Sequence, residues 1–176
     1  MQFIDLKKQY RQIEEKINAR IQAVLNHGVY IMGPEVFELE ERLADYVGVK
    51  HCISCGNGTD ALQLALMARG IGPGDSVFTT PFTFFATAEA IAIVGATPVF
   101  VDIDEATYNI CPKNLEAAIS SYADTNTTPK AIIAVDLFGQ PANYQEIERI
   151  ATENGLYLIE DGAQGFGGEI NGRKAC

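Results

Sequence analysis

Residues 130–161, KAIIAVDLFGQPANYQEIERIATENGLYLIED, decide the fold: two short apolar runs, AIIAVDLF and LYLIE, flank a segment near 143–153 with helical periodicity. A strand with one face in water alternates apolar and polar residues. These runs are apolar at almost every position, which suits a strand covered on both faces. Strand, helix and strand in that order describe a crossover between parallel strands. LYLIE then ends abruptly in two acids, Glu160 and Asp161, with the glycine-rich GAQGFGG behind them.

The alternation extends upstream. HCISC (51–55), SVFTT (76–80) and TPVFVDI (97–103) read as strands, with helices over about 59–69 and 85–94 and a third opened by Pro112. Five strands with helical crossovers predict an α/β fold, a mainly parallel sheet with helices on both faces. Ligands of such sheets sit at the carboxyl ends of the strands, so the loops after residues 55, 80, 102, 136 and 160 are the places to search. The polar stretch SYADTNTTPK (121–130) reads as a surface connection.

Residues 1–50 have a different pattern. Leu6, Tyr10, Ile13, Ile17, Ile21 and Val24 recur at helical spacing over 5–26. Val36, Leu39, Leu43 and Val47 do so behind Pro34, a favoured first helical residue, with Gly48 as the stop. The expected division is an N-terminal helical segment, 1–50, and a ligand-binding domain, 51–176.

The 176 residues are 47% hydrophobic and carry a formal net charge of -10. Scattered acids repel a phosphate backbone, and no Lys/Arg stripe with interleaved aromatics is present, which argues against nucleic acid as a partner. The opening MQFIDLKKQYRQIEEK has no apolar core of the signal type, and the longest apolar stretch, 85–101, is broken by Glu89, Gly95 and Pro98. A cytoplasmic protein without a membrane span is expected. Of the four cysteines, Cys52 and Cys55 form a CxxC. A zinc site needs a second ligand pair and a redox site a helix start, so both read as small apolar fillers of a strand.

Several strand ends carry residues suited to a ligand. SCGNGTDALQLAL leads a glycine-flanked turn into a helix, where free N–H groups of Gly58, Thr59 and Asp60 and the helix dipole favour a phosphate. Asn57 or Thr59 acting as a plain helix cap explains the same residues. Neither a P-loop nor a GxGxxG is present. TTPFTFFATAEA places Phe82, Phe84 and Phe85 where an aromatic ligand could stack, or where the rings simply pack in a core. Asp102 and Asp104 in VDID fit a metal-binding DxD or a solvated strand end. Asp161, ending a buried strand, suits a protonated ring nitrogen, since such a pair lowers the acid's pKa and raises the base's. A pyridoxal phosphate (PLP) enzyme needs that pair, because the protonated pyridine is its electron sink.

GNGTDAL, TPFTFFATAEA, VGATPVFVDID and LIEDGAQGFGG, in this order and at these separations, resemble the DegT/DnrJ/StrS-type sugar aminotransferases. IDLK and YIMGPEV extend the resemblance over the whole chain. Within the family the chain is most similar to enzymes that aminate a 3-keto UDP-N-acetyl-hexuronic acid for surface-polysaccharide synthesis. The resemblance implies a type I PLP-dependent transferase fold, of the aspartate-aminotransferase kind. Such a fold has a large domain, incomplete in this chain, a smaller C-terminal domain absent from it, and a homodimer with its sites between subunits. It assigns the cofactor phosphate to Gly58, Thr59 and Asp60, ring stacking to Phe84, the pyridine nitrogen to Asp161, and the neighbourhood of the phenolic oxygen to Gln164. Glu160, one residue earlier on the strand, faces the other way. The implied substrates are a UDP-linked nucleotide sugar and an amino donor, glutamate, with no metal.

The chain departs from the family at the catalytic lysine. The Ser-x-x-Lys segment that supplies the Schiff-base lysine is expected beyond Cys176, so no catalytic residue is assigned in this chain. Lys174 matches a basic position ahead of that segment and Lys130 matches none. The chain reads as the N-terminal part of a transaminase, inactive by itself. A sugar dehydratase of the same fold, with histidine replacing the lysine, and a non-catalytic binding or regulatory domain are the alternatives. Gln164 in EDGAQ favours the aminotransferase.

Overall fold

The computed structural model describes residues 4–122 and 126–176, and its chain divides into two compact units, Met1–Ser54 and Cys55–Cys176. Residues 123–125, the middle of the polar stretch expected to be a surface connection, lie outside the described residues.

The first unit holds α1 (Leu6–His27) and α2 (Pro34–Val47). Asp5 caps α1, its carboxylate accepting the Lys8 N–H at 2.9 Å. Pro34 opens α2, and Gly48, at φ 84°, closes it in the left-handed region where a side chain is strained. Both boundaries of α2 match the sequence signals. No residue of either helix is buried.

The second unit alternates helices and strands: α3 (Gly58–Ala68), β1 (Asp75–Thr79), α4 (Ala86–Ile93), β2 (Thr97–Phe100), α5 (Pro112–Ser121) and β3 (Thr128–Val135). A 3-10 turn (Leu137–Gly139), α6 (Tyr144–Glu153) and β4 (Tyr157–Asp161) follow, then a small antiparallel hairpin of β5 (Glu169–Ile170) and β6 (Arg173–Lys174). The main sheet has the order β2-β1-β3-β4 and every pairing in it is parallel. The α/β expectation holds.

Alternation along the strands sends successive side chains to opposite layers. Val77 of β1 and Ala131 and Ile133 of β3 pack with Leu62 and Leu66 of α3 and Ala90 and Ile91 of α4. Phe78, Ile132 and Ala134 pack on the other face with Leu115 of α5 and Ile147 and Ile150 of α6. The first layer is the front of the sheet and the second is its back. Full burial of an Ile, Leu or Phe is worth about 1.5–3 kcal/mol each, so the two layers hold the sheet from both sides.

One expected strand is absent. HCISC alternates like a strand but is not paired: Ile53 is 84% exposed, and the Ser54 N–H and hydroxyl both donate to Glu40, at 2.8 and 2.7 Å. A strand persists only if its N–H and C=O groups find a ladder, and here a carboxylate takes the donor instead. The filler reading of the cysteines falls with it at Cys55, which is an exposed free thiol; Cys52 is half-buried and also free. Among the described residues no helix is long and apolar enough to cross a membrane.

Candidate active site

β4 ends in the two acids, and the sheet's alternation sorts them. Ile159 packs into the front layer and Leu158 into the back, so Asp161 emerges at the front and Glu160 at the back. A cavity of about 200 Å³ opens at the front, at the carboxyl ends of β1, β3 and β4. Gly58, Thr59, Phe84, Asp161 and Gln164 all line it, together with apolar walls from Leu62, Val135 and Leu137.

Each arrives by a local device. Asn57 caps α3, accepting the Asp60 N–H on Oδ1 at 2.9 Å, while its Nδ2 donates to Asp60 Oδ2 at 3.0 Å. The first intrahelical bond runs from the Ala61 N–H to Asn57 O. The N–H groups of Gly58 and Thr59 therefore have no acceptor within the helix, and both residues face the cavity at the positive end of the dipole. Asp60 is different. Its N–H is taken by the cap, its carboxylate turns to Asn57, and it is not among the lining residues. Both sequence readings of this turn thus have a counterpart: Asn57 is the cap, and two N–H groups remain beside it.

Phe84 lines the cavity with 76% of its surface exposed, so its ring is not core filling. Gln164 is held by its side chain, Oε1 accepting the Phe138 N–H at 2.7 Å. Asp161 is 7% exposed. Its Oδ2 accepts the Thr87 hydroxyl at 2.7 Å, and its Oδ1 the Ala163 N–H at 3.3 Å. The Thr83 and Thr87 hydroxyls lie 2.9 Å apart. Because Thr87 has one proton and gives it to Asp161, Thr83 is the donor to Thr87.

Thr83 and Thr87 are the site residues that sequence reading missed. Their signal was present: four residues apart in TFFATAEA, they share one side of the turn into α4. Asp102 and Asp104 lie elsewhere. Asp104 Oδ1 accepts the N–H groups of Ala106 and Thr107, and Asp102 Oδ1 that of Ile103, so the VDID acids organise a turn. Neither Lys130 nor Lys174 lines the cavity. On the back, burial is the main cause that raises the Glu160 pKa.

Residues 11–176 match the DegT/DnrJ/EryC1/StrS aminotransferase family. A UDP-2-acetamido-2-deoxy-3-oxo-D-glucuronate aminotransferase of Pseudomonas aeruginosa is 56% identical over 176 residues, all of this chain and 47% of the relative. A crystal structure of a DegT DnrJ EryC1 StrS aminotransferase from Brucella abortus superposes with a TM-score of 0.97 at 53% identity, covering 99% of this chain and 47% of that one. A Bacillus subtilis protein with bound cofactor PMP superposes with a TM-score of 0.82 at 35% identity, covering 89% of this chain and 34% of that one. The chain thus spans about half the length, or less, of these relatives. With the parallel sheet, the cavity at its strand ends and this similarity over nearly every residue, the chain belongs to the DegT/DnrJ/EryC1/StrS aminotransferase family.

Proposed function

We propose that this chain is the cofactor-binding part of a PLP-dependent aminotransferase that moves nitrogen from an amino donor, glutamate, to a keto nucleotide sugar. A UDP-linked 3-oxo sugar is the proposed acceptor, by analogy with the Pseudomonas aeruginosa relative. A homodimer in the cytoplasm is the proposed working form, with residues 51–176 as the cofactor domain. The observation that carries the reading is the convergence of Gly58, Thr59, Phe84, Asp161 and Gln164 on one cavity.

The donor set fits a phosphorylated aromatic cation. Two N–H groups at the start of α3 suit a phosphate dianion, with the helix dipole adding to the attraction. The Phe84 ring offers a face for stacking, and apolar Leu62, Val135 and Leu137 keep water from the ring. Asp161, nearly enclosed, would hold a proton on a facing ring nitrogen, because an opposite charge favours the protonated base. Thr87 fixes which way that carboxylate points. Gln164, its Oε1 tethered to the Phe138 N–H, keeps its amide nitrogen as a donor that an oxygen substituent of the cofactor would accept from. When bound, the cofactor supplies the electron sink for the reaction. The anchoring and proton-moving lysine is expected from a residue other than Lys130 and Lys174, since neither reaches this cavity.

Pyridoxamine phosphate binds without a covalent lysine bond, so it tests the cavity directly. Titrated into the chain and followed by fluorescence, it is expected to bind, with affinity lowered about tenfold or more by Asp161→Asn, the loss expected for a charged hydrogen-bond partner. Binding that ignores Asp161 would sink the reading. Borohydride reduction with PLP, mapped by mass spectrometry, is expected to leave Lys130 and Lys174 unmodified.

A further inference from the structure

The back of the β4 end holds a titratable cluster for which the cofactor reading has no use. Asp136, the residue after β3, is fully buried. Its Oδ1 accepts the Ala142 N–H at 3.0 Å and the Tyr144 hydroxyl at 2.7 Å, whereas Oδ2 has no hydrogen-bond partner among the described residues. A bare, buried carboxylate oxygen carries its full desolvation cost, so a donor is required. Glu160 pairs with Ala134 of the neighbouring strand, two residues before Asp136 and on the same back face, where the two acid side chains interact. Two ionised carboxylates repel each other there, and a single proton converts the contact into a hydrogen bond.

We propose that Asp136 and Glu160 share one proton, with Glu160 donating to Oδ2 of Asp136, and that the pair positions the Leu137–Gly139 turn and the Gly162–Cys176 segment behind the cavity. The proposal stands apart from the cofactor's identity.

The backbone around the pair is built for close approach. A Cβ at position 165 would lie 2.7 Å from Asp136 Oδ2, and one at 162 would lie 3.4 Å from Glu160 Oε1, so the glycines of GAQGFGG let the chain pass over both acids. The Cys176 N–H donates to Glu160 Oε1, tying the hairpin's exit to the pair. The Gly139 N–H donates to Asp136 O at 3.2 Å and the Asp136 N–H to Asp161 O at 3.1 Å, so the same residue fixes the turn whose Phe138 N–H holds Gln164.

Every packed element presents a titratable group. Tyr144 of α6 is held far above its ordinary pKa, chiefly by burial and then by Asp136, and stays a donor. Arg173 of β6, paired with Glu148 of α6, and the Cys176 N–H favour an ionised Glu160. Lys174 lines the same small recess, the Cys176 thiol is raised by burial, and Asp161 stands next along the strand on the front. Against these, burial first and Asp136 second raise the Glu160 pKa.

The sign follows. A carboxyl whose folded-state pKa lies above its unfolded value binds its proton more tightly in the folded chain. Its contribution to stability is complete below the unfolded pKa and is lost as pH rises through the folded one. Carbon-detected NMR of the chain with labelled glutamate should find Glu160 titrating above the ordinary glutamate range, and Asp136→Asn should move it down. Glu160→Gln keeps a donor and removes the titration. Its unfolding equilibrium should be flatter with pH than wild type, whose folded-to-unfolded ratio should fall about tenfold for each unit by which the Glu160 pKa is raised. An ordinary Glu160 titration in the wild-type chain, or a pH profile unchanged in Glu160→Gln, overturns the proposal.

Discussion

Glu160 and Asp161 are chain neighbours with the same functional group, yet they end up in opposite chemistry. Asp161 at the front is surrounded by donors, the Thr87 hydroxyl and the Ala163 N–H, and opens onto a cavity. Glu160 at the back meets another carboxyl, and burial raises its pKa. The difference teaches that strand alternation assigns each acid a face, while the role of that face depends on what the neighbouring loops bring to it. At the front the turn into α4 brings hydroxyls. At the back the turn after β3 brings Asp136.

The largest effects should show whether the two layers support this end of the sheet equally. Ile133→Ala at the front and Ile132→Ala at the back each remove a fully buried side chain, and each should cost about 2–5 kcal/mol in urea unfolding. A markedly smaller loss at the front would break the symmetry. A sharper contrast is expected between two glycines. Gly165→Ala drives a methyl to 2.7 Å from buried Asp136 Oδ2 and 3.3 Å from Ala175 Cβ, an overpacking cost of about 1–3 kcal/mol. Gly58→Ala meets nothing within 4 Å, so thermal unfolding should stay near wild type while pyridoxamine phosphate affinity falls, because the methyl enters the ligand's space.

Smaller effects probe each side alone. Thr87→Val leaves one oxygen of Asp161 without its donor and should weaken pyridoxamine phosphate binding by about tenfold, read by the same fluorescence titration. Asn57→Ala removes the cap of α3 and should cost about 1 kcal/mol. If it instead strengthens phosphate binding, the freed Asp60 N–H has joined the cradle, which would place the sequence assignment of Asp60 within reach of the ligand.

Much of this was legible in the chain itself. The apolar runs around residues 131–135 and 157–159 are long enough to name a parallel sheet, and Pro34 and Gly48 mark the ends of α2 because caps are local chemistry. Five of the six candidate ligand residues, Gly58, Thr59, Phe84, Asp161 and Gln164, line a single cavity. HCISC misled because alternation reports which residues could form a strand, not whether a partner edge exists. Ser54 was instead bound by Glu40, fourteen residues earlier. The spacing of Thr83 and Thr87 marked one side of a turn but not its partner, and Asp136 gave no local signal, since Thr87 and Asp136 each act through a segment distant in the chain.

The sequence by itself determined the alternation of strands and helices, the helix start with its free N–H groups, and the opposite facing of Glu160 and Asp161. All three follow from periodicities that a short stretch carries unaided. Only the tertiary structure decided that Thr87 holds Asp161 and that Asp136 stands beside Glu160. Thr87 and Asp161 are 74 residues apart, and contacts of that range are chosen by how the layers pack, not by any local preference of the chain.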